Sequence, residues 1–222
     1  MRPRLAVFDV DGTLSDSQHH IHAAMGQSFT GQGLSAPDLG AVRQIVGLSL
    51  PLALAQLAPE ASAAQIDALV QGYKQSYFIA RSHEPAPLFP GAAETLRRLA
   101  MREGVVLGVA TGKSRRGIDA LLAQFGLGDL FVTVQVADDH PSKPHPAMLQ
   151  AALAEAGVAA GDAVMIGDTS FDIEMARAAG VTGFGVRWGY HSPEVLAKAG
   201  ATQLVEDFPA LEAALGALWG LG

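Results

Sequence analysis

Two hydrophobic periodicities divide the chain. Residues 4–10 form an apolar run without alternation, which predicts a strand buried on both faces, as in a parallel sheet. From about residue 15 to 87 the period becomes helical. Ser62-Ala63-Ala64-Gln65 has the form of a capping box, and Ile66, Leu69, Val70, Tyr73, Tyr77 and Ala80 follow on one helical face. That helix is expected to run to about Ser82, after shorter helices over 18–30, 37–46 and 50–57. A stiff connector starting at Glu84-Pro85 and ending at Pro90-Gly91 cannot continue a helix. The segment 16–85 therefore reads as an inserted all-helical domain, with 1–15 and 86–222 forming the main one.

Beyond Pro90 helices and strands alternate. Helices are predicted over 92–102, 114–125, 146–156, 171–179 and 209–218, with a short one opened by Ser192-Pro193. Gly126, Gly157 and Gly180 stand where helix ends favour glycine. Strands are predicted over 105–110, 131–136, 163–166 and 183–186, with 203–205 at an edge. Such alternation implies right-handed crossovers and an α/β, doubly wound parallel sheet, Rossmann-like in outline. Ligands of these sheets bind at the carboxyl ends of the strands, where strand order reverses.

Composition narrows the possibilities. With 222 residues, 49 % of them hydrophobic, the chain can bury a sizeable core. A formal charge of −7 speaks against a nucleic-acid or anionic-membrane surface. Cysteine is absent, which removes disulfides, thiolate metal sites and thiol catalysis. No signal-peptide pattern and no apolar run of membrane-spanning length is present, so a soluble cytoplasmic protein is expected, a monomer or homodimer.

Four of the predicted strands end in polar clusters: Asp9-Val10-Asp11-Gly12-Thr13; Thr111-Gly112-Lys113-Ser114; the loop 138–146, carrying Lys143; and Gly167-Asp168-Thr169-Ser170-Phe171-Asp172. Carboxylates this close repel one another, and burying them requires a positive charge. Asp9, Asp11 and Asp168 can hold one hard cation such as Mg²⁺, which keeps waters and substrate phosphate among its ligands. Lys143 and Thr111 can then take phosphoryl oxygens, which makes a phosphoryl-transfer site.

In order and spacing these segments resemble the haloacid dehalogenase superfamily of phosphohydrolases, whose motifs are DxDGT, a strand-ending Thr or Ser, a Lys, and GDxxxD. The helical insert is similar to that superfamily's helical cap. Phe89-Pro90-Gly91, Ser142-Lys143-Pro144-His145-Pro146 and Val186-Arg187-Trp188-Gly189-Tyr190 resemble the phosphoglycolate phosphatase branch. One departure is Thr111-Gly112-Lys113, where that branch often has Thr-Asn-Lys. The resemblance implies Asp9 as nucleophile and Asp11 as acid and base. It implies Mg²⁺ held by Asp9, Asp11 and Asp168, with Asp172 supporting the metal or Lys143. Val10, Asp11, Gly12, Thr111, Gly112 and Lys143 would surround the phosphate, and Arg43, Gly47, Leu48 and Ser49 fall where such caps carry a specificity loop. The implied substrate is a small phosphorylated metabolite, 2-phosphoglycolate first. Pyrophosphatase, sugar-phosphate mutase and a non-catalytic phosphate-binding protein are the alternatives.

Other features have plainer readings. His19, His20 and His22 lack matching carboxylates and read as surface histidines. Trp188 and Tyr190 read as packing residues, and Arg115 and Arg116 as a solvated helix face.

Overall fold

A computed structural model describes residues 2–83 and 86–220. The start of the connector, at Glu84 and Pro85, lies outside the described residues, and with it the boundary placed at 85. A six-stranded, wholly parallel sheet contains β1 (Arg4–Phe8), β2 (Val105–Thr111), β3 (Phe131–Val136), β4 (Ala163–Gly167), β5 (Thr182–Val186) and β6 (Gln203–Val205). Their spatial order is β3-β2-β1-β4-β5-β6. The chain first winds outward through β2 and β3, then returns to β4 on the other side of β1. Strand order thus reverses between β1 and β4, and the carboxyl ends of β1, β2 and β4 lie side by side.

Helices α5 (Ala92–Ala100), α6 (Arg115–Phe125), α7 (Ala147–Ala156), α8 (Ser170–Ala178), α9 (Pro193–Ala199) and α10 (Phe208–Trp219) flank the sheet. One apolar layer packs Phe8, Val109 and Ile166 against Leu96, Ile118 and Leu211. The opposite layer packs Leu5, Val7 and Met165 against Met148, Leu149 and Met175. Alternate residues of β1 thus enter opposite layers, which is why its sequence shows no polar face.

The segment between β1 and α5 carries α1 (Gln18–Gly31), α2 (Leu39–Arg43), α3 (Leu50–Leu57) and α4 (Ala63–His83). Ser62 and Gln65 close the expected capping box, the Ser62 amide donating to Gln65 Oε1 at 2.9 Å. α2 starts later than the sequence predicts because Asp38 caps it, accepting from the Ala41 amide at 2.7 Å, and it ends at Arg43 with Gln44 as its C-cap. These helices share an apolar cluster of Ile21, Met25, Phe29, Leu54 and Leu69, which also takes in Tyr190 and Phe171 from the sheet domain.

Candidate active site

β1 stops at Phe8, two residues before the end of the apolar run. Asp9 keeps one more sheet contact, its amide donating to the Ile166 carbonyl at 2.9 Å. The chain then turns through Gly12, whose φ of +88° is open chiefly to glycine. A Cβ there would stand 2.2 Å from Asp168 Oδ2, so Gly12 is also the gap that lets β1 and β4 bring their carboxylates together. Thr13 closes that approach, donating to Asp168 Oδ1 at 2.9 Å.

Three carboxylates, Asp9, Asp168 and Asp172, are buried around one buried ammonium, Lys143. Lys143 Nζ lies 2.7 Å from Asp9 Oδ1 and 2.6 Å from Asp172 Oδ1. Asp172 Oδ2 accepts from the amide and hydroxyl of Thr169, at 3.1 and 2.7 Å. Asp172 therefore serves twice, as the acidic half of a capping box on α8 and as an anchor for Lys143. Asp168 Oδ2 accepts from the Tyr190 amide at 2.9 Å.

The charge of this cluster does not balance. Burial, opposed by Lys143 and reinforced by the charges of Asp172 and Asp11, pushes the Asp9 carboxyl up to about 7. Burial and the neighbouring Asp9 and Asp172 charges raise Asp168 well above the carboxylate range. Asp9 Oδ2 is buried with no hydrogen-bond partner among the described residues. One ligand oxygen each from Asp9, Asp168 and Asp172 lie within 4.8 Å of one another. An orphaned carboxylate oxygen in an over-negative, all-oxygen donor set fits a hard divalent cation such as Mg²⁺.

Asp11 stands apart from that cluster. Its Oδ1 accepts from the Ser17 hydroxyl and lies 2.7 Å from Lys113 Nζ. Burial pulls the Lys113 ammonium down, but the charges of Asp11 and Tyr77 and the hydrogen bonds to both together outweigh it, and the group is raised. Lys113 Nζ also donates to the Tyr77 hydroxyl of α4 at 3.1 Å. Thr111, at the end of β2, accepts the Lys113 amide at 3.2 Å, which leaves its own hydroxyl proton to donate elsewhere.

Asp9, Asp11, Thr111, Gly112 and Lys113 line one side of a cleft of about 570 Å³. Its other wall comes from the inserted helices and includes Ile21, Ile45, Gly47, Leu48, Tyr73 and Tyr77. Gly47, with φ of +99°, presses on the sheet domain: a Cβ there would meet Thr169 Oγ1 at 3.2 Å. At Gly112 a Cβ would lie 2.7 Å from the carbonyls of Gly47 and Leu48. The Ser49 amide completes the contact, donating to Ser142 Oγ at 2.8 Å.

The structure thus places Asp9, Lys143, Asp168 and Asp172 in one cluster, with Asp11, Thr111, Gly112 and Gly47 along the adjoining cleft. Arg43 is not brought there. Its guanidinium donates to Gln18 Oε1 at 2.9 Å inside the helical segment, and it does not line the cleft. His22 Nε2 is 3.1 Å from the Pro37 carbonyl oxygen, and none of His19, His20 and His22 lines the cleft. Two expectations need extending. Trp188 and Tyr190 pack and do more, because Trp188 Nε1 donates to the Thr13 carbonyl at 3.0 Å and the Tyr190 hydroxyl accepts the Ser17 amide at 3.2 Å. Arg116 is exposed, as a solvated helix face implies, and also reaches over the Phe78 ring of α4, at 4.5 Å from its centroid. Ser17, Tyr77 and the bridging place of Lys113 were missed by the sequence reading; the cue available was the departure at Gly112.

Comparison with known proteins agrees with this geometry. The chain is 36 % identical to "Probable phosphatase IndB" of Dickeya dadantii, over 98 % of this chain and 95 % of that protein. It is 34 % identical to a phosphoglycolate phosphatase of Rhodospirillum rubrum, over 96 % of this chain and 91 % of that one. Among solved structures, a hydrolase from Pseudomonas syringae superposes with a TM-score of 0.86 at 26 % identity, covering 98 % of this chain and 99 % of its own. Residues 6–186 match the sequence profile described as haloacid dehalogenase-like hydrolase, and the chain belongs to that family.

Proposed function

We propose that the protein is a Mg²⁺-dependent phosphatase acting on a small phosphomonoester, with 2-phosphoglycolate the first candidate, through an aspartyl-phosphate on Asp9. The observation that carries this reading is the asymmetry of Asp9. One oxygen is fixed by Lys143, while Oδ2 has no hydrogen-bond partner among the described residues and the residue lines the cleft. A carboxylate oriented in this way suits covalent catalysis. The Asp9 carboxylate attacks phosphorus as the ester P–O bond breaks, and Asp11 gives its proton to the departing alkoxide. Asp11 then takes a proton from water, which attacks the aspartyl-phosphate and releases inorganic phosphate. The Thr111 hydroxyl and Gly112 amide hold phosphate oxygens during both steps.

Mg²⁺, when bound through Asp9, the Asp11 carbonyl and Asp168, would supply the positive charge that offsets repulsion between carboxylate and phosphate. Residues 16–85 serve as a cap over the core formed by 1–15 and 86–222, excluding water once the substrate is in place. The substrate class is supported by the names of the relatives and by the mixed lining of the cleft.

The test is release of inorganic phosphate from 2-phosphoglycolate, a sugar phosphate and pyrophosphate, each with Mg²⁺ and with chelator. The expected result is chelator-sensitive release, greatest with 2-phosphoglycolate and abolished in Asp9→Asn. Release from none of them, or undiminished release by Asp9→Asn, would sink the proposal.

A further inference from the structure

From the position of Lys113, we infer a second anion subsite, one that recognises the leaving group of the substrate: Lys113 Nζ, assisted by the Tyr77 hydroxyl, takes a carboxylate attached to the carbon that bears the ester oxygen. This inference rests on the phosphatase reading above. An ammonium has three N–H donors. Two are engaged, one by Asp11 Oδ1 at 2.7 Å and one by the Tyr77 hydroxyl at 3.1 Å. The third has no hydrogen-bond partner among the described residues, on a side chain only 9 % exposed that lines the cleft.

Distance favours the assignment. If Asp11 serves as the acid, the ester oxygen must come within about 3 Å of its carboxyl. In a 2-phosphooxy carboxylate the carboxylate oxygen lies about 3 Å from the ester oxygen by ordinary bond lengths. A group that near Asp11 is also within reach of Lys113, because the two side chains already touch. Tyr77 belongs to α4, so the subsite forms only where the helical segment meets the sheet domain. The Tyr77 ring, 5.0 Å from Nζ, and the Tyr73 ring stacked on it at 5.6 Å shield this corner from water. A charge-assisted hydrogen bond counts for more in such a place. Lys113 is thus a specificity-determining residue, distinct from Lys143, which faces the nucleophile.

The test compares two esters of nearly equal size, 2-phosphoglycolate and ethyl phosphate, which differ in the carboxylate. The wild-type enzyme should prefer 2-phosphoglycolate in kcat/KM by about 10- to 100-fold, the scale of one charge-assisted hydrogen bond. Lys113→Met should erase that preference, chiefly through KM for 2-phosphoglycolate, while Lys113→Arg retains part of it. Tyr77→Phe, which keeps the ammonium and the ring, should reduce the preference about threefold and keeps the test readable if Lys113→Met does not fold. A wild type without preference overturns the subsite. So does a Lys113→Met variant that lowers both esters by the same factor, which would confine Lys113 to holding Asp11. If the wild type releases phosphate from neither ester, the phosphatase reading fails and the subsite falls with it.

Discussion

Replacing Lys143 by Met tests whether the acidic cluster is held together by one shared cation. Lys143 is fully buried, at 2.7 Å from Asp9 and 2.6 Å from Asp172. At an effective dielectric of about 20, each contact carries a gross attraction of about 6 kcal/mol. Returning the lysine to water recovers several kcal/mol, and removing one member of a buried pair typically leaves a net loss of about 3–5 kcal/mol. Urea unfolding without metal should therefore show the midpoint falling by about 1–1.7 M at pH 8, for a slope of about 3 kcal/mol per M. The loss should depend on pH. Asp9 has a folded-state pKa of about 7, raised from 3.8, so folding takes up a proton between these values. The stability linked to that proton is present at low pH and is lost as pH rises through 7. Removing Lys143 raises Asp9 further, so the deficit should be largest at pH 8 and smaller at pH 5.5, where Asp9 is protonated in both proteins. A midpoint shift below about 0.3 M at pH 8, or an equal deficit at both pH values, would refute the reasoning.

Three further outcomes follow from the same geometry. Mg²⁺ at about a hundred times its dissociation constant should raise the melting temperature by about 5–10 °C at pH 8, and by less at pH 5.5, where protons on Asp9 and Asp168 compete; differential scanning fluorimetry reads both. Gly112→Ala should push the Gly47 and Leu48 carbonyls away at a cost of about 1–3 kcal/mol, seen as a roughly tenfold fall in kcat/KM for 2-phosphoglycolate. Gly12→Ala must adopt a positive φ and displace Asp168, so its melting temperature should fall in chelator and its response to Mg²⁺ should weaken.

The sheet was legible because β1, β2 and β4 are apolar runs broken by glycine and acidic residues, and such runs have few alternatives in a chain of this length. The core of the site was legible for the same reason, since a strand's end fixes where Asp9, Thr111 and Asp168 must lie. What the sequence hid depends on side chains that meet across distant segments. Nothing local to Ser17 or Tyr77 shows that one will hold Asp11 and the other Lys113. Tyr190 read as packing because its ring does pack, while its amide and hydroxyl bind polar partners that only the fold supplies. Arg43 has the charge expected of a substrate ligand, yet Gln18, one helix away, claims its guanidinium.

The loop at residues 47–49 touches the sheet domain at Gly112, Ser142 and Thr169, which follow three different strands. A helical insert transplanted from a relative would meet these positions as a lock with three wards. Exchange of the insert alone should yield a poorly seated chimera, and recovery should require positions 112, 142 and 169 to travel with it. In a set of homologous sequences those three sites should change in step with the loop they receive.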